Sequence, residues 1–514
     1  MTIAWMQSGT LYIQLLKENG NGVDKVLQVL ERVGQVIRKM LGKEMVKDAI
    51  GVDVSVSDRM GQAIELWSMM YENEAPWLKK DVISCGLPAA VAGEMARLVT
   101  LELQTEISGD EFLNQEYQEV IKEIRRYCEY GCAKGGLVFK PYVYEGHIEV
   151  DTVQADRFFP TGYNSRGEIT SAVFAETQNR GKQVFTRLEY HEWKKSDYVI
   201  YNKAYVKNDK DVSESLGKEI PLSKVKEWAE LEPEIRIENV EKPLFSYFKV
   251  PSANNIDDQS PLGVSIYSRA VSDIKEADRQ WSRIIWEYEG AELALDVDNT
   301  MFKRDSRTGK WELPKGRERL FRMMDMDDNN EKYKIYSPAI RDVSMFNGFN
   351  NILRRIEFNC GLAYGTLSNP ENVDKTAEEI KASKQRSYST VSDIQKTLQK
   401  ALEHLVYAME VLAQLSGLSG RKDYEVSFNW DDSIVIDKEK ELLSMQQDAA
   451  EGFIRKELYV AKKYGVSEEE ALKMMPKQPD SQEENTLTES KSLNYEKNLG
   501  GSADSLKVQG AEDL

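Results

Sequence analysis

From Val391 onward the apolar residues Val391, Ile394, Leu398, Ala401, Leu405, Ala408, Leu412 and Leu415 step by 3 and 4 without a fault. That spacing predicts a helix with one continuous apolar stripe, close to a coiled-coil heptad. Thr376 followed by Glu379 fits a capping box, in which a hydroxyl and a carboxylate satisfy free backbone N–H groups at a helix start, and Gly417 and Gly420 supply the stop. At about 1.5 Å per residue, a helix from Lys375 to Leu415 spans about 60 Å, unusually long for a globular element. The segment before it, GLAYGTLSNPENVD (Gly361 to Asp374), holds two glycines, a proline and two asparagines and reads as a loop between helices.

Upstream the pattern is helix, small insert, helix. Ala270, Ile274, Ala277, Trp281, Ile284 and Tyr288 repeat at helical spacing, and Met345 to Phe358 turns helical again. Between them residues 293–340 form a charged insert with short strands expected at TGKWELP and KYKIYSP. Residues 137–250 read as a mainly antiparallel sheet region. LVFKPYVYEGHIEV predicts two strands about a Glu145-Gly146 turn, followed by strands over Ile169 to Thr177, Gln183 to Trp193 and Asp197 to Val206. Earlier still, Val23 to Leu41 and Met60 to Tyr71 predict amphipathic helices, and Asp110 is the expected N-cap of one helix running to Gly135-Gly136. YEVSFNWDDSIVID alternates as a strand, Lys438 to Met475 is helical, and Lys477 to Leu514, without Phe or Trp, is expected to be disordered.

Composition excludes more than it identifies. The 514 residues are 41% hydrophobic and 30% charged, near globular averages. Lys+Arg 68 against Asp+Glu 86 leaves a net charge of −18, which argues against a broad basic nucleic-acid grip but permits passive contact with DNA. Cys85, Cys128, Cys132 and Cys360 are too scattered for a secreted disulfide framework, so a reducing compartment is expected. No signal peptide is read at the N-terminus, and the uncharged run Val82 to Gly93 is too short to span a membrane.

Gly42-Lys43, Gly181-Lys182, Gly217-Lys218 and Gly309-Lys310 are followed by Glu, Gln, Glu and Trp, so no phosphate-binding loop is present. Cys128 and Cys132 at i and i+4 offer half a metal site without a second pair, and packed thiols are the plainer reading. His191-Glu192 lacks the second histidine of HExxH. Asp325, Asp327 and Asn329 begin like a calcium loop that then lacks the glycine and the final glutamate. Ser246 with Lys249 is an isolated SxxK. Lys375, Lys381, Lys384 and Arg386 cluster at the start of the heptad helix, where they touch phosphates or simply solvate a helix face. No cofactor and no metal is expected, and the chain reads as a non-enzyme.

The segments SPLGVSIYSRA, WEYEGAELA, GLAYGTLS and KTAEEIKASKQRSYSTVSDIQKTLQKAL, with KPYV at Lys140 to Val143 and ADRFFP at Ala155 to Pro160, resemble portal (head-to-tail connector) proteins of tailed bacteriophages. The likeness is greatest to the branch found in siphophages and prophages of Gram-positive hosts, and it covers roughly Asp53 to Met475. It implies an α+β portal fold: an N-terminal helical segment (1–52), a mainly antiparallel β wing (53–260), stem helix 1 (261–292), a small α/β clip (293–340), stem helix 2 (341–360), a tunnel loop (361–374), a wing helix and strand (375–436), a helical crown (437–476) and a tail (477–514). It further implies a ring, usually of twelve subunits, at one capsid vertex, passing double-stranded DNA without sequence readout during packaging and ejection. By resemblance Gly365, Thr366, Leu367, Ser368, Asn369, Lys375 and Lys381 face the DNA channel, and Lys310, Trp311, Asp325 and Asp327 lie in the docking surface. The implied partners are the terminase large subunit, a head-completion adaptor and a major capsid or scaffolding protein, with no membrane. The implied location is the virion, with host cytoplasm during assembly. Two other readings stay open: a metal-dependent nuclease using Asp325, Asp327 and Asp328, and a scaffolding protein of the virion.

Overall fold

The computed structural model describes residues 43–211, 215–304, 307, 311–312, 320–325, 332–369, 377–420, 422–430, 438–464 and 467–475. The expected helix at Val23 to Leu41, the capping Thr376, and the tail from Lys477 lie outside them. The chain divides into two compact units, Met1–Asp431 and Asp432–Leu514.

The first unit begins with α1 (Lys43–Ile50) and α2 (Asp58–Tyr71). Ser57 caps α2 by accepting from the Met60 N–H, and Met60, Ile64, Trp67 and Met70 are buried along it. The uncharged run set aside as a membrane span contributes only Leu87 to Gly93 to a helix, α3 (Leu87–Thr100), with Pro88 in its first turn, where a missing N–H costs nothing. No helix among the described residues is long and apolar enough to cross a membrane. After β1 (Leu103–Ser108), the Asp110 carboxylate accepts from the Phe112 and Leu113 N–H groups and starts α4 (Glu111–Lys122). The single helix expected to Gly135 is instead two, because the backbone breaks at Glu123 and restarts as α5 (Ile124–Lys134). The break lets Tyr117 and Val120 before it, and Ile124 and Cys128 after it, all be buried. Gly135 ends α5 at φ +91°, and a Cβ there would lie 2.5 Å from the Gly263 carbonyl oxygen.

Strands follow where alternation places them. β2 (Gly136–Tyr144) and β3 (His147–Gln154) form a hairpin closed by Tyr144 opposite His147, with Glu145 and Gly146 both at positive φ. β4 (Phe158–Tyr163), β5 (Ile169–Arg180), β6 (Gln183–Lys194), β7 (Asp197–Asn208) and β8 (Lys218–Ile220) form an antiparallel sheet in that order, with β9 (Glu234–Ile237) also paired to β7. β10 (Ser246–Lys249) joins the other side of β2. The two sheets are pinned by a buried ion pair in which Lys140 Nζ on β2 lies 2.6 Å from Glu189 on β6. Burial alone would raise the Glu189 carboxyl, but Lys140, His191 and Arg187 together hold it well below the usual carboxylate range.

α6 (Val271–Gly290) and α7 (Asp342–Cys360) run antiparallel, Trp281 against Phe349 and Tyr288 against Phe346. Between them the insert forms β11 (Ala294–Asp298), β12 (Lys303–Arg304), β13 (Trp311–Glu312), β14 (Phe321–Met324) and β15 (Tyr333–Tyr336). β11 is the centre of a mixed sheet, parallel to β14 and antiparallel to β15. The heptad stripe belongs to α8 (Ala377–Leu415), 39 residues long. It packs inside its own chain rather than in a coiled coil. Ile394, Leu398, Leu405 and Ala408 are fully buried, Val391 and Ala401 nearly so, Leu412 is half-buried and Leu415 exposed, and α8 lies against β10, β2 and α3. Each such leucine or isoleucine contributes about 1.5–3 kcal/mol, which helix propensity alone would not supply. Gly417 at φ +67° turns the chain out of α8, and Leu418 N–H returns to the Ala413 carbonyl. β16 (Glu425–Trp430) then pairs antiparallel with β1, a distant pairing no local pattern announces.

Among its described residues the second unit holds three helices where the sequence suggests one stretch: α9 (Lys438–Glu451), α10 (Lys456–Tyr464) and α11 (Glu468–Met474). Gly452 at φ +85° divides the first two, and a Ser467–Glu470 capping box starts the third.

Candidate functional site

The α7 helix ends where Gly361 takes φ +70°, a conformation in which an added Cβ would sit 2.4 Å from Thr390 Oγ1 on α8. Glycine is therefore required twice over, by backbone and by contact. The loop that follows doubles back along α7 and is held by two side chains of that helix. Glu357 is fully buried. Its Oε1 accepts from the N–H groups of Gly365 (3.1 Å), Leu367 (2.6 Å) and Ser368 (2.8 Å), and its Oε2 accepts from Ser368 Oγ at 2.9 Å. About two turns earlier, Asn350 Oδ1 accepts from the Asn369 N–H at 2.7 Å, and its Nδ2 donates to the Asn369 carbonyl at 3.4 Å. The anchor thus holds the loop by the backbone N–H groups of Gly365, Leu367, Ser368 and Asn369, with the Ser368 hydroxyl as its one side-chain contact.

Electrostatics around the loop are mixed rather than basic. Asp273 on α6 accepts from Asn359 at 2.8 Å and lies 3.2 Å from Arg355, tying the base of the helical pair. Arg386 on α8 stacks on Phe358 at 4.3 Å and reaches the Tyr364 ring at 5.6 Å. Thr366 and Asn369 are exposed, whereas Ser368 is buried and Gly365 and Leu367 are half-buried. Of the five described loop candidates, then, two present side chains to solvent and Ser368 spends its hydroxyl on the anchor. Lys375 lies outside the described residues, as does the side chain of Lys381.

At the far end of the helical pair, Arg341 makes two hydrogen bonds to Glu287, at 3.0 and 2.7 Å, and closes the neck of the insert. Arg322 bridges Asp296 and stacks on Tyr336 at 3.9 Å, joining β14, β11 and β15. Trp311 is half-exposed with Arg304 over its ring at 5.7 Å. Asp325 is exposed and accepts from Asn299. Lys310 and Asp327 are outside the described residues. The structure therefore brings the loop candidates together at one end of the helical pair and the described insert candidates at the other.

The remaining chemistry-bearing residues are used structurally. Cys128 and Cys132 are buried and free, and the Cys132 contact together with burial raises the Cys128 thiol well above its ordinary value, opposing thiolate ligation. Ser246 Oγ donates to the Ala401 carbonyl while Lys249 Nζ donates to the Pro261 carbonyl; three apart on a strand, they point to opposite faces. His191 sits between Glu189 and Tyr198 in the core. Among the described residues no group of three or more His, Cys, Asp or Glu is placed to hold a metal ion. The site residues missed from sequence are Glu357 and Asn350. Their signal is positional, since Asn350, Leu353, Glu357 and Cys360 step by 3, 4 and 3 along the buried stripe of α7.

A family model described as phage portal protein, SPP1 Gp6-like, matches residues 99–484. No curated protein matches the sequence. Among solved structures, a chain from the neck of a native GTA particle computed with C12 symmetry matches with 11% identity, covering 74% of this chain and 91% of that chain. Its TM-score is 0.38, a likeness too loose to carry an argument about this chain.

Proposed function

Because the chain belongs to the SPP1 Gp6-like family of phage portal proteins, a structural rather than catalytic family, we propose that it assembles as a ring of twelve at one capsid vertex and conducts double-stranded DNA during packaging and ejection. In this reading α6 and α7 are the stem, residues 293–340 the clip that docks the terminase large subunit and later the head-completion adaptor, and the loop from Gly361 the channel contact. Residues 53–260 with 375–436 are the wing and 437–476 the crown. The major capsid or scaffolding protein meets the outside of the ring. The host branch, siphophages and prophages of Gram-positive bacteria, is proposed on the sequence resemblance alone.

One observation carries the reading: a loop whose backbone is clamped by Glu357 and Asn350 at the end of a two-helix pair, with small exposed side chains at Thr366 and Asn369. Such a loop offers DNA a fixed, polar and weakly charged contact. A net charge of −18 suits a conduit, because few counterions are exchanged and the duplex is not held. The contacts expected are to phosphate and carry no sequence information.

The test is a Thr366→Cys variant carrying a short photo-crosslinker, incorporated into DNA-filled particles. Adducts to DNA at residue 366, and none from the same label at exposed Lys226 on the sheet side, are the expected outcome. Equal labelling at both positions, or none at 366, would remove the loop from the channel.

A further inference from the structure

The hairpin of β2 and β3 leaves its closed end in solvent. Strand β2 is buried from Gly136 to Pro141, yet Tyr142, Val143 and Tyr144 at its end are 45%, 37% and 58% exposed. Side chains alternate across a strand, so Tyr142 and Tyr144 share one face, where the register sets Glu149 opposite Tyr142 and His147 opposite Tyr144. Val143 lies on the other face with its partner Ile148, which is buried. The two tyrosines therefore point away from the core. A solvent-facing tip folds as well with small polar residues, whereas tyrosine is enriched where proteins meet, because one ring offers contact area and a polar end.

Carboxylates surround the pair. Glu145, next to Tyr144 in the turn, is the main cause that raises its phenol, and Glu230 from the segment before β9 adds to it. The Tyr142 phenol is raised first by burial and then by Glu149 and Asp151. Asp151 lies 3.6 Å from Lys140, Glu176 pairs with Arg187 at 2.9 Å, and His147 is held by Glu116 at 3.0 Å. Glu145, Glu149 and Glu230 have no basic partner among the described residues. Aromatic faces rimmed by unneutralised carboxylates match a cation, since the ring quadrupole attracts Lys or Arg and the carboxylates add charge complementarity. DNA is repelled by such a surface, and a second copy of a chain with net charge −18 is repelled at long range. The occupant that fits is a basic segment of a different protein.

We propose that the tip of the β2–β3 hairpin, with Tyr142 and Tyr144 among Glu145, Glu149 and Glu230, is a docking site for a lysine- or arginine-bearing segment of another protein. All five residues belong to one copy, so the site exists with or without the ring.

Fluorescence anisotropy of a labelled peptide of alternating lysine and alanine, titrated with the full chain near physiological salt, tests it. Tyr142→Ser with Tyr144→Ser keeps every charge of the chain and should weaken binding about tenfold, as the loss of two exposed cation–π contacts implies. Glu145→Gln with Glu149→Gln should weaken it by a similar factor and flatten its salt dependence. Glu65→Gln with Asp81→Asn removes two exposed charges elsewhere and should change the affinity by less than about twofold. All these side chains are solvent-facing, so an unshifted thermal midpoint shows that each variant is folded. Equal weakening by the remote pair, or full affinity without the tyrosines, would reduce the binding to general charge and overturn the proposal, as would no binding at all. Binding to the unassembled chain that is lost in an assembled ring would also overturn it, because a neighbouring copy would then be the occupant.

Discussion

Replacing Glu357 by alanine removes the acceptor for three backbone N–H groups and one hydroxyl at once. The magnitude follows from where those donors lie. Gly365 and Leu367 are half-buried and can recover water, but Ser368 is buried, so its N–H is left without a partner. An orphaned buried donor costs about 1–3 kcal/mol, and the loss of charge-assisted bonds at the other two adds to it. A local penalty of about 3 kcal/mol is therefore expected, and at about 1.4 kcal/mol per factor of ten this is roughly a hundredfold faster amide exchange at Leu367 and Ser368. Glu357→Gln is the control. Its carbonyl oxygen can take the three N–H groups, and the Ser368 hydroxyl can turn to accept from the new amide, so exchange should rise about tenfold or less. Exchange at α3 and α5 should not change in either variant. The reasoning is refuted if Glu357→Ala leaves Leu367 and Ser368 protected, or if the glutamine variant is as damaging as the alanine one.

Three further outcomes follow from named contacts. Gly361→Ala should destabilise by about 2 kcal/mol, through positive φ and the 2.4 Å approach to Thr390, and Thr390→Ala should recover part of it in a double-mutant denaturation cycle; an additive pair would deny the contact. Asp278 is buried and accepts from Trp77 Nε1 and the Cys85 N–H, both at 2.8 Å, so Asp278→Ala should cost about 2–4 kcal/mol and shift Trp77 fluorescence; an unshifted denaturation midpoint would contradict this. Burial holds the His191 imidazole below its ordinary 6.5, against the pull of Glu189. Its contribution to stability is full above the unfolded value and is lost as pH falls from there through the lowered folded value, so stability measured by urea should drop on acidification through that window, and a His191→Gln variant should show a flatter profile.

Period-two strands and the helix, insert, helix order were legible because alternation and 3.6-residue spacing are local signals. The β1–β16 pair was not, since its strands lie more than three hundred residues apart. The break at Glu123 carries no glycine or proline and was invisible for that reason. At the site, the loop was legible from Gly361 and Gly365, but its anchor was not. A lone glutamate on a helix reads as solvated, and only its place on the stripe with Leu353 and Cys360 marks Glu357 as buried. The heptad of α8 predicted the stripe from Val391 to Ala408 and left its partner open; the partner is the chain's own sheet and helices, whereas Leu412 is only half-buried and Leu415, the last residue of the expected stripe, is exposed.

The central claim is the ring, and solution mass with end-on images of the purified chain tests it most directly. Twelve copies of a 58.8 kDa chain give about 706 kDa, with a central hole wider than the roughly 20 Å of duplex DNA. A chain that stays monomeric or dimeric at high concentration, with or without a co-expressed scaffolding protein, would contradict the account.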